Sequence, residues 1–203
     1  MKDVLKAVFQ LIGFVLLLPL LYAGVFAFRN EVLSISLIKQ LALYRGALIF
    51  LGIYLFIYNF KEVFDFTIQG MSKIFSFTGA LAANIGYILP TYSFIAMMVY
   101  VVLIMLEKLS GLEGLFISIL GFLLTMHWVL TAKTMYDSDG SLLKANYFFF
   151  YALLLLVHLV IGALLLNWIM SEFSSWSFCK NSYNLAQVNY MNIYHFLFVD
   201  GIR

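Results

Sequence analysis

Four strongly apolar stretches of this chain run for at least 18 residues without an Asp, Glu, Lys or Arg: Ala7–Phe28, Leu81–Leu106, Leu115–Ala132 and Tyr147–Met170. A fifth, Gln40–Phe60, holds a single charge, Arg45. About 20 apolar residues suffice to cross roughly 30 Å of hydrocarbon as a helix. Inside lipid every backbone N–H and C=O must be paired within the structure, so only helices and closed barrels span. A barrel strand would alternate in polarity over about 10 residues. Here the apolar runs are continuous, as in Phe14–Leu18, Ala47–Ile57, Met97–Leu106 and Leu153–Val157. The expected fold class is therefore all-α, a polytopic integral membrane helix bundle of about five transmembrane helices with interfacial amphipathic segments. The expected organisation is a bundle over 1–170, with spans at 7–28, 40–60, 81–106, 115–132 and 147–170, followed by an aromatic, Asn-rich tail over 171–203.

Composition agrees. Of the 203 residues 64% are apolar and 11% charged, against about 45–50% and about 25% in soluble domains. A soluble core of this size could not hide that much apolar surface. The net charge of +2 gives no reason to expect nucleic acid as a partner. A single cysteine, Cys179, excludes an internal disulfide and any cysteine-rich metal or redox motif.

Lys2 and Lys6 precede an apolar run that ends in Val25-Phe26-Ala27, the outline of a signal peptide. That run is longer than the usual 7–15 residues and holds Pro19, so an uncleaved anchor is expected. Five spans put the termini on opposite sides. Lys2, Lys6, Lys61, Lys73, Lys133 and Lys144 would then lie on one side, and Arg29, Lys39, Arg45, Lys108, Lys180 and Arg203 on the other. The count ties at six each, so the positive-inside rule does not orient the chain. Only the closeness of Lys2 and Lys6 to the first span points to a cytoplasmic N-terminus. The expected location is a bacterial inner membrane.

Between the spans, Lys61–Ala80 mixes Val63, Phe64, Phe66, Ile68, Met71 and Ile74 with Lys61, Glu62, Asp65, Gln69 and Lys73. Spacings of three and four predict an amphipathic helix at the interface. In the tail, Leu185, Val188, Met191, Tyr194 and Leu197 recur every three residues, with Asn184, Gln187 and Asn192 between them. A short amphipathic helix is expected there, interfacial or docked on the bundle. Trp176, Tyr190 and Tyr194 are its candidate partner-docking residues, since aromatic side chains suit both headgroup belts and protein interfaces.

Polar groups inside a membrane are costly and therefore informative. Arg45, near the start of its span, can snorkel to the headgroups. No carboxylate lies inside any span, because Glu62, Glu107 and Glu113 all sit at span ends. That argues against proton- or sodium-coupled transport. His127 and His158, on two successive spans, could ligate a haem through axial imidazoles. Their depths differ by roughly 9 Å at ~1.5 Å per residue, which favours structural histidines. The third span carries Asn84, Pro90 and Thr91, a candidate transport path or hinge, and the small-residue pairs Gly79/Ala83 and Ala82/Gly86. Pro90 is expected to kink it. Asp137-Ser138-Asp139-Gly140 resembles the start of a calcium loop, but position twelve is Phe148 where a glutamate would be needed. No nucleophile elbow, P-loop, zinc-protease or dinucleotide motif occurs.

The reading that follows is a non-catalytic subunit or scaffold of a membrane assembly, with no cofactor. Its partners would be the lipid bilayer and other membrane subunits or further copies of itself. Two alternatives stand beside it: a small oligomeric carrier or channel lined by the third span, and a haem-holding electron-transfer subunit.

Overall fold

A computed structural model describes residues 2–56, 60–106, 111–138 and 145–200. The pairing that lipid imposes on a backbone is met helix by helix, and among the described residues there is no strand. The helices are α1 (Lys2–Ser34), α2 (Leu37–Phe56), α3 (Phe60–Ile74), α4 (Ala82–Ile88), α5 (Thr91–Met105), α6 (Glu113–Ser138), α7 (Ala145–Ile169) and α8 (Ser175–His195). A 3-10 helix, Ser76–Leu81, precedes α4, and a π-helical turn, Phe196–Asp200, follows α8. By length and composition α1, α2, α6 and α7 can each cross a membrane, and α5 is a shorter apolar helix. Large apolar side chains such as Phe9, Val15, Leu48 and Leu55 lie exposed along the first two. That surface suits hydrocarbon and not water.

The chain divides into two compact units, one of Met1–Ser34 with Tyr136–Arg203, the other of Ile35–Met135. In the first, α1 and α7 run parallel. Gln10 hydrogen-bonds Asn146, Phe14 lies 5.5 Å from Phe148, and Gly24 meets Leu156 and Leu159. Ala23 and Ala27 are fully buried, so small residues let the backbones approach. The chain leaves α7 through buried Met170 and Phe173. Ser174 caps α8 by accepting from the Ser177 N–H at 3.1 Å, which satisfies one orphan donor of the first turn. The tail thus forms a 21-residue helix, and it packs along α1 as part of this unit rather than apart from the bundle. It runs antiparallel to α1. Phe178 meets Phe28, Asn181 donates to Glu31 at 3.3 Å, and Tyr190 donates to the Leu16 carbonyl at 2.6 Å.

In the second unit α2 and α6 run parallel. Lys39 pairs with Glu113 at 2.9 Å, Arg45 donates to Ser118 at 2.8 Å, and Phe50 lies edge-on to Phe122 at 5.4 Å. At the crossing, Gly46 rests on the Ser118 carbonyl and Gly121 on the Leu43 carbonyl. α3 turns Phe64 and Ile68 into a core of Phe50, Met126 and Leu130 and leaves Phe66 outward. The expected interfacial helix therefore buries its apolar edge against protein. Gly86 of α4 packs on it, since a Cβ there would lie 2.8 Å from the Ile68 Cα.

The third expected span is not one kinked helix but two pieces. Pro90 supplies no N–H, and the Thr91 N–H turns to the Leu89 carbonyl at 2.8 Å, so α4 stops and α5 starts anew. Gly79 has φ 62° and ψ −122°, a conformation open to glycine alone. It lies before α4, so Gly79 and Ala83 share no helix, whereas Ala82 and Gly86 do.

Candidate functional site

The break at Pro90 removes the regular donor from a carbonyl one turn earlier. In a continuous helix the Thr91 N–H would reach Tyr87, and here it goes elsewhere. The Tyr87 carbonyl is met instead by His127 Nε2 at 3.0 Å. A carbonyl only accepts, so Nε2 carries the proton. His127 is 5% exposed, and the Phe64 ring stands edge-on to it at 5.7 Å. From α3, Thr67 hydrogen-bonds the Tyr92 hydroxyl and pins the start of α5. Pro90 and Ser93 are fully buried, as is Thr131 on α6. The hydroxyls of Ser93 and Thr131 find no hydrogen-bond partner among the described residues. Thr91 closes its own turn by donating to Leu89 at 3.3 Å.

Of the path residues expected from the sequence, Pro90 and Thr91 form the break. Asn84 belongs to α4, and its side chain lies outside the described residues. His127 joins them through Tyr87. His158 is 1% exposed on α7, in the other unit. An axial haem ligand is a bare imidazole nitrogen, and His127 Nε2 already holds a carbonyl. Most of the loop with the calcium-like start, residues 139–144, lies outside the described residues. Among the described residues no three His, Cys, Asp or Glu side chains cluster to hold a metal ion. Arg45 is exposed and its guanidinium reaches Ser118, whose hydroxyl donates in turn to the Gly114 carbonyl at 2.9 Å.

The second constellation lies along α8. Pro19 interrupts the hydrogen-bond ladder of α1. Across from it, Asn189 donates to the Pro19 carbonyl at 3.3 Å and Tyr190 to Leu16 at 2.6 Å. Both bonds fall beside the proline turn, although the carbonyl that loses its regular donor to Pro19 is that of Val15, four residues earlier. The sequence offers Pro19 as a feature of the first span but not its neighbours. The available signal was the proline itself, which marks an irregular turn in α1. Of the docking candidates, Tyr190 commits its hydroxyl within the chain. Trp176 and Tyr194 are 78% and 58% exposed, and Asn184 and Gln187 are exposed beside them.

The Tyr190–Leu16 bond is testable alone. Tyr190→Phe deletes the donor and keeps the ring, with an expected loss of about 1 kcal/mol. Hydrogen exchange at α8 should accelerate while exchange at α6 stays as it was. Unchanged protection of α8 would mean that the bond does not hold the helix in place.

Comparison with protein-family models, with characterised proteins and with solved structures finds no match to this chain.

Proposed function

We propose that this chain is a non-catalytic membrane protein that acts as a subunit or scaffold of a larger membrane assembly. The observation that carries the reading is the outward face of α8. Its inner edge is bonded to Leu16 and Pro19, in the middle of the charge-free stretch Ala7–Phe28. At that depth Asn184, Gln187, Asn192 and Tyr194 lie exposed. Amides facing hydrocarbon without partners are costly, so such a face calls for protein.

The bundle in this proposal has five apolar crossings, α4 and α5 together making the third. Support comes from helix sense. α2 and α6 are parallel, so the chain must return between them. α4 and α5 run antiparallel to α6, with Tyr87 beside His127 and Tyr100 beside Phe116. The parallel pair α1 and α7 likewise requires an odd number of crossings between Ser34 and Ala145.

Purification from the native membrane in a gentle detergent, with mass spectrometry of what accompanies the chain, is expected to yield stoichiometric protein. Trp176→Ala combined with Tyr194→Ala is expected to release that protein while leaving the melting temperature in place. A chain that purifies as a monomer under these conditions sinks the reading.

The carrier or channel reading keeps one specific support, the buried Ser93 and Thr131 hydroxyls near a broken helix. It predicts proteoliposome flux that falls in Ser93→Ala and Thr131→Val. Flux indifferent to both would remove it.

A further inference from the structure

We infer that the outward stripe of α8 pairs with the same stripe of a second copy of this chain, antiparallel and centred on Gln187, inside the membrane. This deepens the assembly reading and rests on it.

Trp176, Lys180, Tyr183, Gln187, Met191 and Tyr194 recur at spacings of three and four along α8. That spacing makes a continuous seam of the kind that packs knobs into holes. The seam lies opposite the edge that Phe178, Ser182, Ala186 and Asn189 turn toward α1, and all six of its residues are exposed. Its centre is level with the middle of the charge-free part of α1. Neither water nor lipid suits it at that depth: tyrosine and methionine favour an apolar contact, and glutamine needs a partner for its amide.

The chemistry of the seam is its own complement when one copy is reversed. About a two-fold axis at Gln187, the two amides meet, and each both donates and accepts. Lys180 then faces Tyr194 of the other copy, a cation over an aromatic ring. Tyr183 faces Met191, a sulfur–aromatic contact, and Trp176 comes level with Phe198, which is exposed. The two Lys180 charges stand about 21 Å apart along the axis. A parallel pair would place Lys180 against Lys180 on a seam that has no acid to neutralise them.

An antiparallel pair in one bilayer requires copies inserted in both senses. The Lys and Arg residues permit this, since they divide six to six about five crossings and seven to five if α8 makes a sixth. If α8 completes a further crossing, only Arg203 changes sides.

The test uses full-length chains in a Cys179→Ser background, in native-type membranes, with oxidative cross-linking. Two differently tagged copies, one Lys180→Cys and one Tyr194→Cys, are expected to form a mixed disulfide dimer when co-expressed. Gln187→Cys is expected to link to itself, and Ser182→Cys, facing α1, to stay monomeric. Size-exclusion profiles matching the unsubstituted chain show that the variants fold. The unaltered seam is tested separately by proteolysis of an N-terminal tag in sealed vesicles, where comparable fractions should be cut from each side. A single insertion sense, or Lys180→Cys and Tyr194→Cys each linking only to itself, overturns the antiparallel pair. Stripe cysteines that link to a different protein overturn pairing with a second copy but leave the assembly reading standing. A monomer whose Gln187→Cys reacts freely with a water-soluble thiol reagent overturns both.

Discussion

Gly46→Ala is expected to destabilise the protein by about 3 kcal/mol, and to lower the melting temperature by about 10 °C. The added Cβ would run into the Ser118 carbonyl oxygen, lie 2.7 Å from its carbon and 2.8 Å from the Phe122 nitrogen. These are backbone atoms of α6, so no rotamer can relieve the clash. Gly121 opposes the Leu43 carbonyl in the same way, so the two helices touch backbone to backbone from both sides. Moving them apart also stretches the Arg45–Ser118 bond and the Lys39–Glu113 pair. The control is Gly52→Ala on the same helix, where a Cβ meets nothing within 4 Å. Thermal melting in detergent or nanodiscs should separate the two variants clearly. Equal melting temperatures would mean that α2 and α6 do not cross at Gly46.

The second large effect is expected at His127. Replacing it with leucine leaves the Tyr87 carbonyl inside a dry core without its imidazole donor, at a cost of about 2 kcal/mol. His127→Gln retains an N–H and should recover much of the loss. The diagnostic is coupling to Pro90. In Pro90→Ala the helix regains an N–H at position 90, and the Thr91 N–H can return to Tyr87. His127→Leu should then cost less than in the unaltered chain, and a double-mutant cycle on melting free energies reads the difference. Additive losses would show that His127 does not act through the break. A carrier in which this break moves would show the same coupling, with flux as the further readout.

The long apolar helices were legible because their signal is local. Ala7–Phe28 lies within α1, Leu115–Ala132 within α6, and nearly all of Tyr147–Met170 within α7. A run without charges, long enough and without alternation, has one way to pair its backbone in lipid. The amphipathic patterns of 60–74 and 175–195 were also legible as helices, because three- and four-residue spacing is a property of adjacent turns. Pro90 announced an interruption, though not that α4 and α5 would be separate helices. The role of His127 was hidden because the carbonyl it meets lies 40 residues away. The Tyr190–Leu16 bond joins residues 174 apart. Nothing near Tyr190 in the chain distinguishes a residue that bonds a neighbouring helix from one that waits for a partner.

By itself, then, the sequence determined the helical state of its apolar stretches and the place where one of them is irregular. Which helices touch, and through which residues, was decided by tertiary structure alone: Gly46 on Ser118, His127 on Tyr87, α8 along α1. The reason lies in the solvent. In water a buried face is apolar and an exposed one polar, so periodicity reveals the packing side. In hydrocarbon both faces are apolar, and close approach of small residues together with a few hydrogen bonds selects the partners. Those selections depend on atoms far apart in the chain that meet only once it has folded.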